Sequence, residues 1–393
     1  MNHGKYVFAQ IFDLVKSYDF HNCVKLYKGD YRLKTFKCWE QFLVMSFAQF
    51  SFRESLRDIE FCLASVQPKL YHCGIRSVVP KSTIADANER RDYRIYADFA
   101  KTLMQAAIPL YKGENALSKE LGSLIYAFDS TTIDLCLNLF PWATFRKTKS
   151  AVKMHVLLNV EGSIPEFVTI TKGHVQDVTM LDEISFTAGA FYLVDKAYVD
   201  FERLYRIETS KANFVTRAKE NMSYDVEQEN AINNKETIIK DELVKLKRWH
   251  TRRWYPIPIR RIEFIDPDTA LELTFLTNNL KLEAEIIARL YKERWRVELF
   301  FKWIKQNLRI KKFYGYSDNA VKTQLWIAVC DYLIIAILKK NLNTELTLNQ
   351  MLQILSISLF EKVDIRQLFG IPVSQETKDI SKQGLLFENL TGQ

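Results

Sequence analysis

Through about the first 95 residues apolar positions recur at helical spacing, so this stretch is expected to be all-helical. Ser51 with Glu54 reads as a capping box, the Ser oxygen accepting an orphan N–H and the Glu reaching back, ahead of Leu56, Ile59, Cys62 and Leu63 on one face. Thr83 with Asp86, after Pro80, opens a second helix through Ala85, Ala87, Arg90, Arg91 and Ile95. Two helices separated by a turn, the second ending in basic residues, suit either a DNA-reading helix-turn-helix or simple packing.

From about residue 120 the pattern turns to strands. Leu124 to Phe128 is a short apolar run ending at Asp129, and Val152–Val160 with Ile164–Thr171 reads as a hairpin split by Glu161-Gly162-Ser163. A helical stretch at Val178–Phe186, a buried strand Phe191–Val194 ending at Asp195, a helix Phe201–Ile207 and a strand Asn213–Thr216 follow. A βββαβαβ order with carboxylates ending the first and fourth strands predicts an α/β sheet with helices against it. Residues 219 to about 270 break the rhythm and read as a β-rich insertion; the sheet pattern returns at Leu273–Thr277, and a long helix follows from about Leu282 to Leu308. A helical stretch Leu346–Leu359 and a polar tail Ser374–Gln393 close the sequence. The expected division is 1–95 helical, 96–218 and 271–345 two parts of one α/β core, 219–270 the insertion, and 346–393 a helical segment with the tail.

Composition narrows the chemistry. No two of the 12 glycines lie within five residues of each other, which excludes both G-x-G-x-x-G and the P-loop pattern, so no nucleotide cofactor is expected. The six cysteines form no C-x-x-C and the six histidines no H-E-x-x-H, as expected of reduced thiols in the cytoplasm with no local zinc site. The N-terminal apolar residues are interrupted by Gln10, Asp13 and Lys16, unlike a signal peptide. The apolar run Leu325–Leu338 contains Asp331 and, at ~1.5 Å per residue, falls short of a ~30 Å bilayer core, which predicts a buried helix and no membrane partner. A net charge of +8 on 393 residues leaves room for a polyanionic partner.

The long helix carries the most informative pattern: Tyr291, Arg294, Glu298, Lys302 and Lys305. At about 100° per residue they share an arc of about 80°, one stripe ~21 Å long bordering the face of Val297, Phe300, Phe301, Ile304 and Leu308. The stripe suits phosphate contacts along a duplex, or equally a solvated face laced with Glu–Lys pairs. Asp129 alone would suit a turn and Asp195 a helix N-cap. Asp134 and Asp200 rival them but lie beyond the strand ends, and Glu293 falls on the apolar side of the stripe. His174 with Asp177 would add a contact behind the acids, or Asp177 would start a helix.

Tyr291-x-x-Arg294-x-x-x-Glu298-x-x-x-x-x-x-Lys305 resembles, with every spacing kept, the Y-R-E-K signature of bacterial insertion-sequence transposases with a DDE active site. Asp129-Ser130-Thr131 and Asp195-Lys196-Ala197-Tyr198 look like that family's other two acidic motifs, in the same order around an insertion, and the likeness covers about residues 120 to 345. Pro80–Asn88 is similar to the N-terminal region of some members. The resemblance implies an RNase H-like catalytic core with a β-rich insertion and an N-terminal helical DNA-binding domain. It also implies a synaptic homodimer, element terminal inverted repeats and target DNA as partners, and action at the bacterial nucleoid.

In-line phosphodiester cleavage needs an activated water or 3′-hydroxyl and a stabilised leaving oxygen, which two Mg²⁺ ions ~3.5–4 Å apart supply. Such hard ions prefer carboxylates, so Asp129, Asp195 and Glu298 are the expected metal ligands and catalytic residues, with Mn²⁺ able to substitute. Arg294, Lys302 and Lys305 would clamp phosphates and Tyr291 would donate to one near the cut.

Between Glu242 and Glu263 the insertion holds Lys245, Lys247, Arg248, Arg252, Arg253, Arg260 and Arg261 with Trp249, Trp254 and Tyr255, and no acid. Cations among aromatics suit phosphate neutralisation and stacking on an unpaired base, or a basic hairpin with core-facing rings. The family's base-stacking tryptophan would precede Leu273, where this chain has Leu271-Glu272, so Trp249 and Trp254 are candidates by position and chemistry alone. A nuclease of the same fold without strand transfer, an inactive DNA-binding descendant and, distantly, a glycosidase remain as alternatives.

Overall fold

The structure is a computed structural model that describes residues 4–371 except 147, 233–235, 309 and 311. The expected polar tail from Ser374 lies outside the described residues. In chain order the helices α1 (Val7–Asp13), α2 (Ser17–Leu26), α3 (Cys38–Phe50), α4 (Leu56–Ser65), α5 (Gln67–Leu70), α6 (Lys81–Arg90), α7 (Arg94–Ala107) and α8 (Ala116–Leu121) come first. Strands β1 (Ile125–Leu135), β2 (Thr144–Arg146), β3 (Lys149–Asn159), β4 (Ile164–Lys172) and β5 (Phe191–Val194) follow, then α9 (Phe201–Thr209) and β6 (Asn213–Arg217). The insertion adds β7 (Tyr224–Glu229), β8 (Ile238–Leu246), α10 (Trp249–Trp254) and β9 (Ile259–Ile265). The chain returns through β10 (Glu272–Thr277) and ends in α11 (Ala284–Glu293), α12 (Trp295–Asn307), α13 (Asp318–Leu342), α14 (Leu348–Ser358) and α15 (Ile365–Leu368).

These elements group into two compact units. One takes the described residues up to Ala100 with Asn307–Gly315 and those from Thr323 onward; the other takes Lys101–Gln306 and Tyr316–Lys322.

The first unit is helical around an aromatic core in which Phe20, Phe42, Tyr96 and Phe99 are buried edge to face and face to face. Its helix starts differ from the expected ones. Ser51 lies past the end of α3, and Ser55 is the N-cap of α4, its hydroxyl accepting the Asp58 amide at 3.1 Å. Thr83 sits inside α6, which starts at Lys81 directly after Pro80, whose missing N–H costs nothing at a helix start. The 25-residue α13 is long and apolar enough to cross a membrane by length and composition, yet 94% of its most apolar window is buried within the protein. Burial pushes the Asp331 carboxyl far above the usual carboxylate range.

The second unit is built on a ten-stranded sheet in the order β2-β3-β1-β5-β6-β10-β9-β8-β7, with β4 also paired to β3. β1, β3 and β4 are antiparallel neighbours, and β5 and β6 run parallel to β1, which is the RNase H-like arrangement. The β3–β4 hairpin turns at Gly162 and Ser163, both in the left-handed region, and a Cβ at Gly162 would overlap the Tyr111 ring. The insertion continues the same sheet: β9 pairs with β10, β8 with β9 and β7 with β8. Phe128, Tyr192, Leu193, Val194 and Phe214 are buried in its centre, as continuous apolar runs in parallel strands require.

Candidate active site

The acids come together through strand register. In the parallel pair β1–β5, Phe128 lies opposite Val194, so Asp129 and Asp195 stand one step further on, side by side on neighbouring strands. This is the carboxyl end of β5, where open α/β sheets bind ligands. Asp129 is not at a strand end as expected: β1 continues to Leu135 because its second half still pairs with β3. Asp129 Oδ1 accepts the Ser130 amide at 2.8 Å. Asp195 Oδ1 accepts the Lys196 amide at 2.6 Å and caps the short turn Lys196–Tyr198, so the N-cap role does apply to it. Tyr198 anchors that turn, its buried ring edge-on to Phe128 at 5.2 Å.

The expected long helix is interrupted at one residue, Arg294, where the bonds Arg294 N–H to Tyr291 C=O and Val297 N–H to Arg294 C=O tighten the turn between α11 and α12. The tightening brings Arg294 inward as a bridge. Its Nη1 lies 3.2 Å from Asp129 Oδ2 and its Nη2 2.6 Å from Glu298 Oε1, with its side chain 12% exposed. Its buried Nε has no hydrogen-bond partner among the described residues. The Tyr291 ring packs on Phe275 at 5.1 Å and under the Arg294 guanidinium at 5.6 Å. Lys302 is exposed, whereas Lys305 Nζ donates to the Thr132 carbonyl of β1 at 3.0 Å and so fastens α12 to the sheet.

Burial pushes the Asp129 carboxyl up to about 6; the Ser130 amide and Arg294 pull it down, and the negative charges of Asp195 and Glu298 add to the rise. Asp129 thus senses both of the other acids. Among the described residues, however, no three ligating side chains are gathered tightly enough to hold a metal ion, because Arg294 stands between Asp129 and Glu298. The oxygen-only donor set suits a hard divalent ion once that cation moves aside.

Behind Asp129 lies a polar cluster of which the sequence reading named Asp177 but neither Lys153 nor His155. Ser130 Oγ donates to Asp177 Oδ1 at 2.8 Å, and Lys153 Nζ donates to Asp177 Oδ2 at 3.1 Å and to the Val175 carbonyl at 2.9 Å. His155, across from Ser130 on β3, is held near 4 by burial and is therefore neutral. Lys153 and His155 are hidden in an apolar run, so only strand alternation could have flagged them. Asp177 also starts the short Asp177–Glu183 turn, while His174 is exposed and takes no part. The rival acids are structural or remote: Asp200 caps α9 through the Arg203 amide at 3.1 Å, Asp134 is exposed, and Glu293 is held by Asn115 and Arg296.

The insertion's cations divide in two. Lys245 and Lys247 pair with Glu227 at 3.0 Å and Asp225 at 3.1 Å, and buried Arg260 and Arg261 pair with Asp241 at 2.6 Å and Glu242 at 2.9 Å. These four pair with carboxylates of the insertion itself, the arrangement a basic hairpin would give. Trp249, Arg252, Arg253 and Trp254 instead share the short helix α10, with Trp249 64% and Trp254 46% exposed. A cavity of about 320 Å³ lies between α10 and the turn after Asp195, lined by Val199, Phe201, Lys219, Met222, Arg248 and Trp254.

With this geometry in place, the transposase DDE domain model matches residues 120–334, more than half of the chain. The chain belongs to the DDE transposase family. A domain of unknown function, DUF4372, matches residues 3–76. The transposase is 35% identical over 288 residues to a protein of Sinorhizobium fredii named as transposase y4zB, covering 72% of this chain and 78% of that one. It is 28% identical over 258 residues to a Geobacillus stearothermophilus protein named as a transposase for insertion sequence element IS5377, covering 64% and 67%. A solved piggyBac transposase in a synaptic complex with hairpin DNA aligns at 10% identity with a TM-score of 0.47, over 99% of this chain and 87% of that one. Members of the family use divalent metal ions, and the transposase acts on DNA by cleavage and strand transfer.

Proposed function

We propose that this transposase binds the terminal inverted repeats of its own insertion sequence, hydrolyses the ends and joins the freed 3′-hydroxyls to target DNA. The observation that carries the assignment of roles is the side-by-side placement of Asp129 and Asp195 with Glu298 tied to the same point through Arg294. Asp129, Asp195 and Glu298 would hold two Mg²⁺ ions, or Mn²⁺ in their place, which when bound supply the activated water and stabilise the leaving oxygen.

The chain's own groups orient the substrate. Arg294 has a buried Nε, without a partner among the described residues, to offer a phosphate oxygen, and its two-pronged head suits a phosphate as well as it suits the carboxylates. Lys302 adds a point charge one turn past Glu298, and Tyr291, packed on Phe275, is held rigidly enough to donate to a phosphate near the cut. Lys305 holds α12 on β1 through Thr132 and keeps Glu298 in register, a positioning role beside its expected phosphate contact. Arg252 and Arg253 on α10 would contact the backbone, and Trp254, at the rim of the cavity, or Trp249 would stack on an unpaired base. The helical segment 1–95 would bind the ends, and a homodimer would synapse two of them at the nucleoid. Incubating purified protein with a labelled end fragment and a target plasmid in Mg²⁺ should give nicked ends and joined product; nicked ends without joined product would favour a nuclease.

A further inference from the structure

Of the two arginines that end α6, which suited either DNA reading or simple packing, one is buried and the other is paired on the surface. Arg91 is buried, its Nη1 3.0 Å from Gln41 Oε1 and its Nη2 on the Phe36 carbonyl, while Arg90 is paired to Asp86 at 2.7 Å. The basic surface lies elsewhere in the same unit, on the connection between α2 and α3. At eleven residues, Tyr27–Lys37, it is longer than the ~2–8 that helix pairs ordinarily need.

This loop is strained and pinned. Lys28, Arg32 and Phe36 have φ of 52°, 59° and 39°, in the left-handed region that side chains other than glycine avoid. Such backbone persists only where surroundings fix it, and it concentrates at ligand clamps. The fixing contacts are all present. Tyr27 Oη donates to Asp98 Oδ2 at 2.5 Å, the Cys38 amide donates to Asp30 Oδ1 at 2.8 Å, and Phe36 is buried with the Arg91 guanidinium 5.0 Å from its ring centroid. Gly29 packs so closely that a Cβ there would sit 2.5 Å from Ile95 Cδ1.

Between the pins the side chains point out. Lys28, Tyr31, Arg32 and Lys34, with Lys25 on the last turn of α2, are exposed, Tyr31 at 66%. None of these four cations has a carboxylate within ion-pairing distance among the described residues, unlike Lys245, Lys247, Arg260 and Arg261. Holding like charges together on a rigid, strained loop opposes folding unless a polyanion meets them. We infer that the loop Tyr27–Lys37 with Lys25 is the phosphate grip of the helical unit, its occupant the backbone of the duplex end DNA. Contacts of this kind fix register on the duplex without reading its sequence.

The inference rests on the transposase reading above, and the test separates the two. The triple variant Lys28→Ala, Arg32→Ala, Lys34→Ala is compared with wild type for binding of an end duplex by fluorescence anisotropy across a salt series, with thermal melts as the folding check. The expected result is a melt no lower than that of wild type, affinity about 10–100-fold weaker at 0.1 M salt, and a salt slope smaller by about 2–3, since each lost phosphate contact removes ~0.9. Affinity and slope equal to wild type would overturn the loop assignment alone. Absence of end binding by wild type itself would overturn the functional reading and this inference with it.

Discussion

The cations of the insertion strands and those of the α2–α3 loop look alike as sequence: short basic stretches interleaved with aromatics. In the fold they behave oppositely. Arg260 is clasped by Asp241 through two hydrogen bonds of 2.9 and 2.6 Å with both side chains under a tenth exposed, and Lys245 and Lys247 reach carboxylates on β7. Lys25, Lys28, Arg32 and Lys34 stand on the surface with no such partner among the described residues. A cation answered by its own carboxylate is part of the scaffold; one left unanswered on rigid backbone is available to a phosphate. Net charge does not distinguish the two cases, and only strand register does.

The sharpest way to break the comparison is to remove a scaffold acid. Asp241→Ala leaves Arg260 buried and unpaired and should lower unfolding free energy by about 3–5 kcal/mol in urea titrations. Lys34→Ala in the loop should change it by less than about 0.5 kcal/mol. If the two losses were equal, the division between scaffold and surface cations would be wrong.

The candidate site lies between these extremes, since Asp129 shares Arg294 with Glu298 where Asp241 has an arginine of its own. Its pKa, raised to about 6 from 3.8, means the folded protein binds that proton more tightly than the unfolded chain. Stability from this group is therefore present below about pH 4 and is lost as pH rises to about 6. Asp129→Asn should make the metal-free protein more stable at pH 7.5, by up to about 3 kcal/mol at ~1.36 kcal/mol per unit, the attraction of Arg294 being already contained in that shift. The gain should vanish near pH 4; a loss of stability at pH 7.5 would show that folding does not raise this carboxyl above its unfolded value.

The smallest stability change, under about 0.5 kcal/mol, is expected for Arg252→Ala with Arg253→Ala on α10. That pair should still weaken end binding several-fold and lower the salt slope by about 2, whereas Lys245→Ala with Lys247→Ala should leave both nearly unchanged.

Much of the site was legible because the signature spacings survive as geometry: apolar runs became β1 and β5, and their parallel register set Asp129 beside Asp195. The helix stripe was legible too, but its continuity was not. Tightening at Arg294 depends on packing that helical periodicity does not encode, and it turns a phosphate-clamp candidate into a bridge between two acids. The place of Asp177 behind the acids was legible but its partners Lys153 and Ser130 were not, because they come from segments joined only by the β1–β3 pairing and the turn after β4. Ser51 was misread as a cap because several polar residues crowd that turn, and Ser55, unlike Ser51, has the extended backbone an N-cap requires.

The central claim is that Glu298 completes an acidic site with Asp129 and Asp195 that cuts DNA. The direct measurement is cleavage of a labelled end duplex in Mg²⁺ by wild type and by Glu298→Gln at matched DNA occupancy. The account predicts cut ends from the wild type and none from the variant, with duplex binding retained. Cleavage by Glu298→Gln at the wild-type rate would contradict it.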